Sequence, residues 1–542
     1  MNMMGLKRIF EWTKENICLI LILVPSFILR FVNLGYSDYQ GDEIKALYFP
    51  PSGQSFFQFV MDQRKGPIQF IITFLIKIFD NNYNNQFLVR LPFAVAGLLS
   101  VYIFYKFINL YFGKKIAFYS SVFFATNGFF IAFSRIAQYQ AFVILFMVLS
   151  LYSLSLAVKN KDFAVKGLYI SLISWALSLL SHYDGIFIFP FMAYLLYEWF
   201  KSKVLLKSDK IKHFVLAGLV SAFLILIFYI PSVFSLSPAT KLYWQGRISG
   251  DVSQKISSSL YLFSIYQPIY TVHIYRILFI LGLMFLILGL SSRHILKLKK
   301  LPSFVKRFFV HSTDHMKIIQ ENHLLIYALT LWFLVPFLFF EVYVHIPGTH
   351  IYCYLIPCFV FLAYGLVTLE SLTFKIFEYN LMKLVNTAGV VILSVFLLAQ
   401  SYVIYVDNSK EYPWEHEKFL FWTFSQVNLL YHSSLFGFPY FRDWEGIREF
   451  VTSFPEVTAY MSNERQAISR YYIPFDREKE AAGFFVYVKS PQSFENNIIY
   501  DKAAYWVSHY QPVHTLTRDG NDLVRIYIME TGTLEGIKAK GF

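Results

Sequence analysis

The chain has 542 residues, 56% hydrophobic and 15% charged, with 60 Phe, 39 Tyr and a formal net charge of +13. Soluble globular domains carry roughly 45–50% apolar and about 25% charged residues. The composition therefore excludes a disordered chain, a collagen-like fibre and a disulfide-stapled secreted domain, argues against a single soluble domain, and points to a multi-pass membrane protein.

The apolar runs place spans near 16–34, 88–110, 116–134, 139–158, 165–181, 185–200, 213–234, 274–291, 322–341, 350–371 and 386–406. The expected fold class is a multi-pass α-helical membrane protein of about 11–13 spans, by the spacing of runs near 20 residues. The first span lacks an Ala-x-Ala site after it and reads as an uncleaved anchor. The run 67–79 is too short for a bilayer at about 1.5 Å per residue and is expected to lie along the membrane surface. Cys18, Cys353 and Cys358 fall in apolar runs without metal-ligand spacing and read as small buried hydrophobes.

Charge gives the orientation. Residues 407–542 hold 14 Lys/Arg and 18 Asp/Glu, leaving 34 and 17 for residues 1–406. The basic excess recurs in alternate loops: at Lys7, Arg8 and Lys14; Lys114 and Lys115; Lys159, Lys161 and Lys166; Lys201 to Lys212; Arg293 to Lys317; and Lys375 and Lys383. Positive charge gathers on the cytoplasmic side, so the N-terminus is expected there, in the cell membrane, and nucleic acid is not an expected partner. The outer segments are then 35–87, 135–138, 182–184, 235–273 and 342–349. Residues 1–406 are expected to form the membrane domain, with 35–87 as its long first outer loop and the candidate for a catalytic one. Residues 407–542 read as a small extracytoplasmic α/β domain, with strands near 457–461, 483–489, 513–518 and 523–529 and helices near 443–453 and 463–472.

Unusual polar residues collect on the outer side. The first loop holds Asp42 and Glu43, followed by Arg64 and Lys65; Arg30 ends the first span. Arg135 and Gln138 lie in one tight turn, His182 and Asp184 in the next, Lys241 and Arg247 in the long fourth loop, and His350 before a late span. Ionisable groups near bilayer depth default to a functional reading. Asp42 suits a general base, which needs a carboxylate close to a reacting hydroxyl, although adjacent acids also suit a helix start. Arg30, Lys65, Lys241 and Arg247 suit a phosphate; snorkelling, headgroup binding or an ordinary solvated loop are the plainer alternatives. Arg135, Gln138, His182, Asp184 and His350 are candidates for the same cavity, with turn and capping roles as the alternative.

Taken in order, Arg30-Phe-Val-Asn-Leu34, Gly41-Asp42-Glu43, Lys65-Gly-Pro-Ile68 and Arg90-Leu-Pro-Phe93 resemble the opening of GT-C-fold glycosyltransferases. The resemblance is to the protein-O-mannosyltransferase-like group, which includes the lipid A aminoarabinose transferases. It is clearest over 25–190 and continues through Thr349-His350-Ile-Tyr-Cys-Tyr-Leu-Ile-Pro357. Lys65-Gly66 and His182-Tyr-Asp184-Gly185 depart from the group's pattern. The tail lacks the oligosaccharyltransferase Trp-Trp-Asp signature. The resemblance implies a polyprenyl-phosphate sugar donor, an outer-leaflet site, inversion at the anomeric carbon, Asp42 as catalytic base and Glu43 as its catalytic neighbour. The acceptor is a hydroxyl on a lipid, protein or glycan. No metal and no cofactor are expected. The rival reading is a transporter or flippase of lipid-linked glycans, which predicts charges through the bilayer depth and paired broken helices.

Overall fold

The computed structural model describes residues 3–203, 205–248, 277, 279–284, 287, 323–377, 380–409, 411, 418–419, 422–423, 437–454, 457–477, 483–492 and 507–529. The protein is a helical, multi-pass membrane chain that ends in a small mixed sheet. Seven of the described helices are long and apolar enough to cross a bilayer. The expected span 274–291 and the basic stretch 293–317 lie largely outside the described residues.

The membrane helices follow the apolar runs closely. α1 covers Met3–Phe31, α5 Gln86–Thr126, α7 Gln140–Lys159, α8 Ala164–Ser181 and α10 Lys207–Ser235. Between them lie the short helices α2 (Gly41–Ile44), α3 (Phe56–Met61), α4 (Ile68–Lys77), α6 (Gly128–Arg135), α9 (Phe189–Lys201) and α11 (Pro238–Ile248). α12 (His323–Leu338), α13 (Tyr352–Phe377) and α14 (Asn380–Tyr405) complete this part.

At about 1.5 Å per residue, the 41 residues of α5 would be roughly twice as long as a bilayer core is thick. The helix breaks at Gly113, which has φ 79° and ψ 169°. Only glycine adopts such a backbone without strain. The break falls at Lys114-Lys115, where the charge pattern expects a loop, and Lys115 pairs with Glu370 of α13 at 2.8 Å. The two expected spans 88–110 and 116–134 are thus the halves of α5, the second continued by α6. α9 has only 13 residues, about 20 Å, because a 3-10 turn at Tyr183–Ile188 takes the start of the expected span 185–200.

The short run after the first loop is the helix α4, as expected. It is tied to the loop before it. The Thr73 hydroxyl donates to Ala46 O at 3.0 Å, Tyr83 OH to Thr73 O at 2.8 Å and Tyr39 OH to Tyr83 O at 2.8 Å. Gly66, just before α4, packs on the end of α8. A Cβ there would stand 1.9 Å from Leu180 O. That neighbour is backbone and cannot swing aside. Gly66→Ala is therefore expected to cost about 1–3 kcal/mol of stability, read as a lower thermal midpoint in detergent; an unchanged midpoint would show that the turn yields freely.

The C-terminal part builds its sheet from β3 (Ala459–Ser462), β4 (Asp476–Arg477), β5 (Phe484–Val488), β6 (His514–Arg518) and β7 (Asn521–Ile528), after a short β1–β2 ladder (Lys418–Phe419, Trp422–Thr423). The order is β4-β3-β5-β7-β6, with β3 parallel to β4 and β5 and the remaining pairs antiparallel. α15 (Trp444–Thr452) and α16 (Gln466–Tyr472) connect into it. The β6–β7 hairpin turns at Asp519-Gly520, both at positive φ, as an Asp-Gly turn predicts.

Candidate active site

Three buried arginines lie at and beside the first loop, in three different settings. Arg135 closes the end of α1: its guanidinium donates to the carbonyls of Leu29 (3.0 Å), Val32 (2.9 Å) and Asn33 (3.2 Å). Helix ends leave such carbonyls without intrahelical partners, so Arg135 works as a cap. Arg90, near the start of α5, reaches into the loop and donates to Leu34 O, Ser37 O and Asp38 O, each at 3.0 Å. It also grips Glu43 with Nε and a terminal nitrogen, both at 2.9 Å. Glu43 accepts further bonds from Gln40 N (3.0 Å) and Ala137 N (2.9 Å) and is fully buried. The acid expected beside the base thus has both carboxylate oxygens bonded to Arg90 and backbone N–H groups, which ties the loop together. Arg30 is also buried, donating to Ser26 O and Ala125 O, so its described contacts lie in the protein interior.

Asp42 stands apart from this buried pair. Its side chain keeps 30% of its exposure, and its Oδ1 lies 3.3 Å from Arg465 of the C-terminal part and 3.6 Å from Lys45. Burial raises the Asp42 carboxyl, but the charges of Lys65, Arg465 and Lys45 outweigh it and hold the pKa below the usual carboxylate range. Burial lowers Lys65 in turn, with Asp42 opposing. Nothing in the sequence links Arg465 to a residue 423 positions away. Its backbone is set by the buried Glu464, whose carboxylate accepts from Arg465 N, Gln492 N at 2.9 Å and Tyr440 OH at 3.1 Å. The guanidinium lies against Gly41, where a Cβ would meet it at 2.9 Å.

Two further ties fasten the loop to the C-terminal part. Arg442 N donates to Asp38 Oδ2 at 2.6 Å and Tyr39 N to Tyr472 OH at 3.0 Å. Burial pushes the Asp38 carboxyl up to about 7, against the opposing pull of Arg442.

From Lys65 an arc of aromatic and imidazole rings leads away. The Lys65 ammonium sits 5.1 Å from the centre of the Tyr139 ring, and Tyr139 stacks on His182 at 4.2 Å. His182 Nδ1 approaches Asp184 Oδ1 at 3.1 Å, and His350 Nδ1 approaches Asp184 Oδ2 at 2.7 Å. Tyr352 OH donates to the same Oδ2 at 2.8 Å. Among the described residues, His182, Asp184 and His350 form a group with metal-ligand chemistry. Arg247 ends the arc, its guanidinium within 2.9 Å of where a Gly348 Cβ would stand. Tyr243 joins the ends: Arg64 lies 4.1 Å over its ring and Arg247 5.6 Å.

The structure therefore brings Asp42, Lys65, His182, Asp184, His350 and Arg247 into one neighbourhood. Lys241 is exposed on α11 without a described contact to it, and Gln138 is buried in the turn after α6. α11 itself departs from the expected unstructured fourth loop. Ser237 caps its start, accepting from Thr240 N at 3.2 Å, and Pro238 occupies the first turn. That Ser-Pro pair is a helix-start signal legible in the sequence. Arg247 O accepts from His345 N at 3.0 Å, pinning the helix end to the segment 342–349. The loop residue Asp251 lies outside the described residues.

Residues 67–230 match the family of dolichyl-phosphate-mannose-protein mannosyltransferases. The match overlaps the stretch 25–190 on which the resemblance was read, and the chain resembles the GT-C glycosyltransferases of that group. Among solved structures, it is similar to ArnT from Cupriavidus metallidurans in the apo state, at 10% identity over 96% of this chain and 98% of that one, with TM-score 0.47. The archaeal oligosaccharyltransferase AglB from Archaeoglobus fulgidus, in complex with an inhibitory peptide and a dolichol-phosphate, is 11% identical over 88% of this chain and 70% of that one, with TM-score 0.46. The S. cerevisiae protein O-mannosyltransferase Pmt1-Pmt2 complex, bound to the sugar donor, is 17% identical over 45% and 38%, with TM-score 0.32. No protein of curated function matches the sequence.

Proposed function

We propose that the protein is a membrane glycosyltransferase that moves a sugar from a polyprenyl-phosphate donor to an acceptor hydroxyl at the outer leaflet, with inversion and with Asp42 as general base. The observation that carries this reading is the setting of Asp42. It is a partly accessible carboxylate kept ionised by surrounding cations, at the end of an arc that also holds Lys65 and Arg247. In the reaction, the acceptor oxygen attacks the anomeric carbon from the face opposite the phosphate. The bond from that carbon to the phosphate oxygen breaks, and the polyprenyl phosphate leaves with the electron pair. Asp42 takes the acceptor's proton. Lys65 and Arg247 supply positive charge where the leaving phosphate gains negative charge, the usual largest source of catalytic stabilisation. Glu43 and Arg90 hold the loop that carries the base.

The same reading puts the N-terminus in the cytoplasm and the C-terminal part outside the cell membrane, over the loop it touches. Incubating the purified protein with a panel of polyprenyl-phosphate sugars and membrane acceptors, followed by mass analysis, tests it. Sugar must leave the lipid and appear on an acceptor; a panel with no transfer argues against the assignment.

Arg465 gives a pH test. The Asp42 pKa is depressed, so its ionised form is present at neutral pH and is lost as pH falls through the depressed value. Arg465→Ala removes one of the charges that lower it. The acid limb of the rate profile is expected to move to higher pH by about one unit, the low end of the effect of a close opposite charge. A limb that stays in place would detach Arg465 from the base.

A further inference from the structure

We propose that His182, Asp184 and His350 form a binding site for one divalent transition-metal ion of the zinc class. One ring nitrogen each from His182 and His350 and a carboxylate oxygen of Asp184 all lie within 4.8 Å of one another, and all three residues are buried. They come from separate places in the chain: the end of α8, the 3-10 turn after it, and the turn that opens α13.

The donor set decides the class of ion. Two imidazole nitrogens and one carboxylate oxygen suit zinc and its neighbours, whereas magnesium and calcium select all-oxygen sites. Zinc lies about 2.0–2.2 Å from such ligands, which sets tetrahedral ligand atoms roughly 3.3 Å apart. At present Asp184 Oδ1 lies 3.1 Å from His182 Nδ1, and Asp184 Oδ2 lies 2.7 Å from His350 Nδ1.

A second observation concerns the His182 contact. His182 Nδ1 accepts a hydrogen bond from Asp184 N–H at 3.3 Å. Its lone pair is therefore turned toward residue 184, and the 3.1 Å approach to Asp184 Oδ1 brings two electron-rich atoms together. A cation bound by both turns that contact into an attraction. The surroundings also hold the ligands in place, as outer partners do around metals. Tyr352 OH donates to Asp184 Oδ2 at 2.8 Å, Tyr139 stacks on His182 at 4.2 Å, and Tyr183 packs on the same ring at 3.7 Å. Three protein ligands leave a fourth position for water or an oxygen of a bound ligand.

The site stands or falls independently of sugar transfer, so its test measures binding directly. The full-length protein in detergent, stripped with a chelator, is titrated with Co²⁺ and then with Zn²⁺. The expected result is one ion per chain, visible absorption of the tetrahedral cobalt type, and its loss on zinc addition. His350→Gln and Asp184→Asn are each expected to weaken binding at least tenfold, while His345→Gln, outside the cluster, binds as the parent does. His182→Cys retains a ligand and is expected to add a near-ultraviolet sulfur-to-cobalt band. Absence of stoichiometric binding in the parent protein overturns the proposal. So does unchanged binding in both weakening variants, or a cobalt-loaded His182→Cys protein without the sulfur band.

Discussion

Asp42→Asn is expected to reduce sugar transfer by about 10²–10⁴-fold while leaving the protein folded, the range over which a positioned base contributes to a rate. The substitution keeps the size and shape of the side chain and removes its ability to take a proton. The fold should tolerate it because Asp42 keeps 30% exposure and its partners, Arg465 and Lys45, also reach solvent. Exposed and half-exposed pairs of this kind contribute only about 0–1 kcal/mol. Initial rates with a saturating polyprenyl-phosphate sugar, alongside a thermal midpoint, check the two halves of the prediction. Parent-like transfer by the Asn variant would falsify the assignment of Asp42 as base.

Arg90→Ala is expected to act on the fold instead. It strands Glu43, a fully buried carboxylate, and takes donors from the Leu34, Ser37 and Asp38 carbonyls. Breaking a buried pair by removing one partner costs about 3–5 kcal/mol. The variant should show a much lower thermal midpoint and poor recovery from membranes. Arg90→Lys keeps the charge and loses the planar fork that grips both Glu43 oxygens, so it should fall between the two. Equal midpoints for the parent and Arg90→Ala would mean that the loop is held by other bonds.

These two variants separate what was legible in the sequence from what was not. The Asp-Glu pair stands out as adjacent acids in a loop, but adjacency says nothing of which one is buried. Glu43 turns inward because Arg90, Gln40 N and Ala137 N converge on it, and two of these three lie 47 and 94 residues away. Arg30 and Arg135 read from the sequence as cations near an outer rim; in three dimensions the terminal nitrogens of both donate to backbone carbonyls of the first spans. His182, Asp184 and His350 each announced themselves as polar residues beside apolar runs. Their union could not be read, since it depends on how α8 meets the start of α13. The helices themselves were legible because apolar runs near 20 residues have one solution in a bilayer. The strands β3, β5, β6 and β7 were legible from alternation and the Asp-Gly turn. α11 was missed although Ser237-Pro238 marks its start.

The ties between the first loop and the C-terminal part span about 400 positions: Asp38 to Arg442, Tyr39 to Tyr472 and Asp42 to Arg465. A ribosome makes the loop long before it makes its partners. The acidic segment therefore spends most of synthesis without the clamp that fixes it, and these contacts form only once residue 472 has been made.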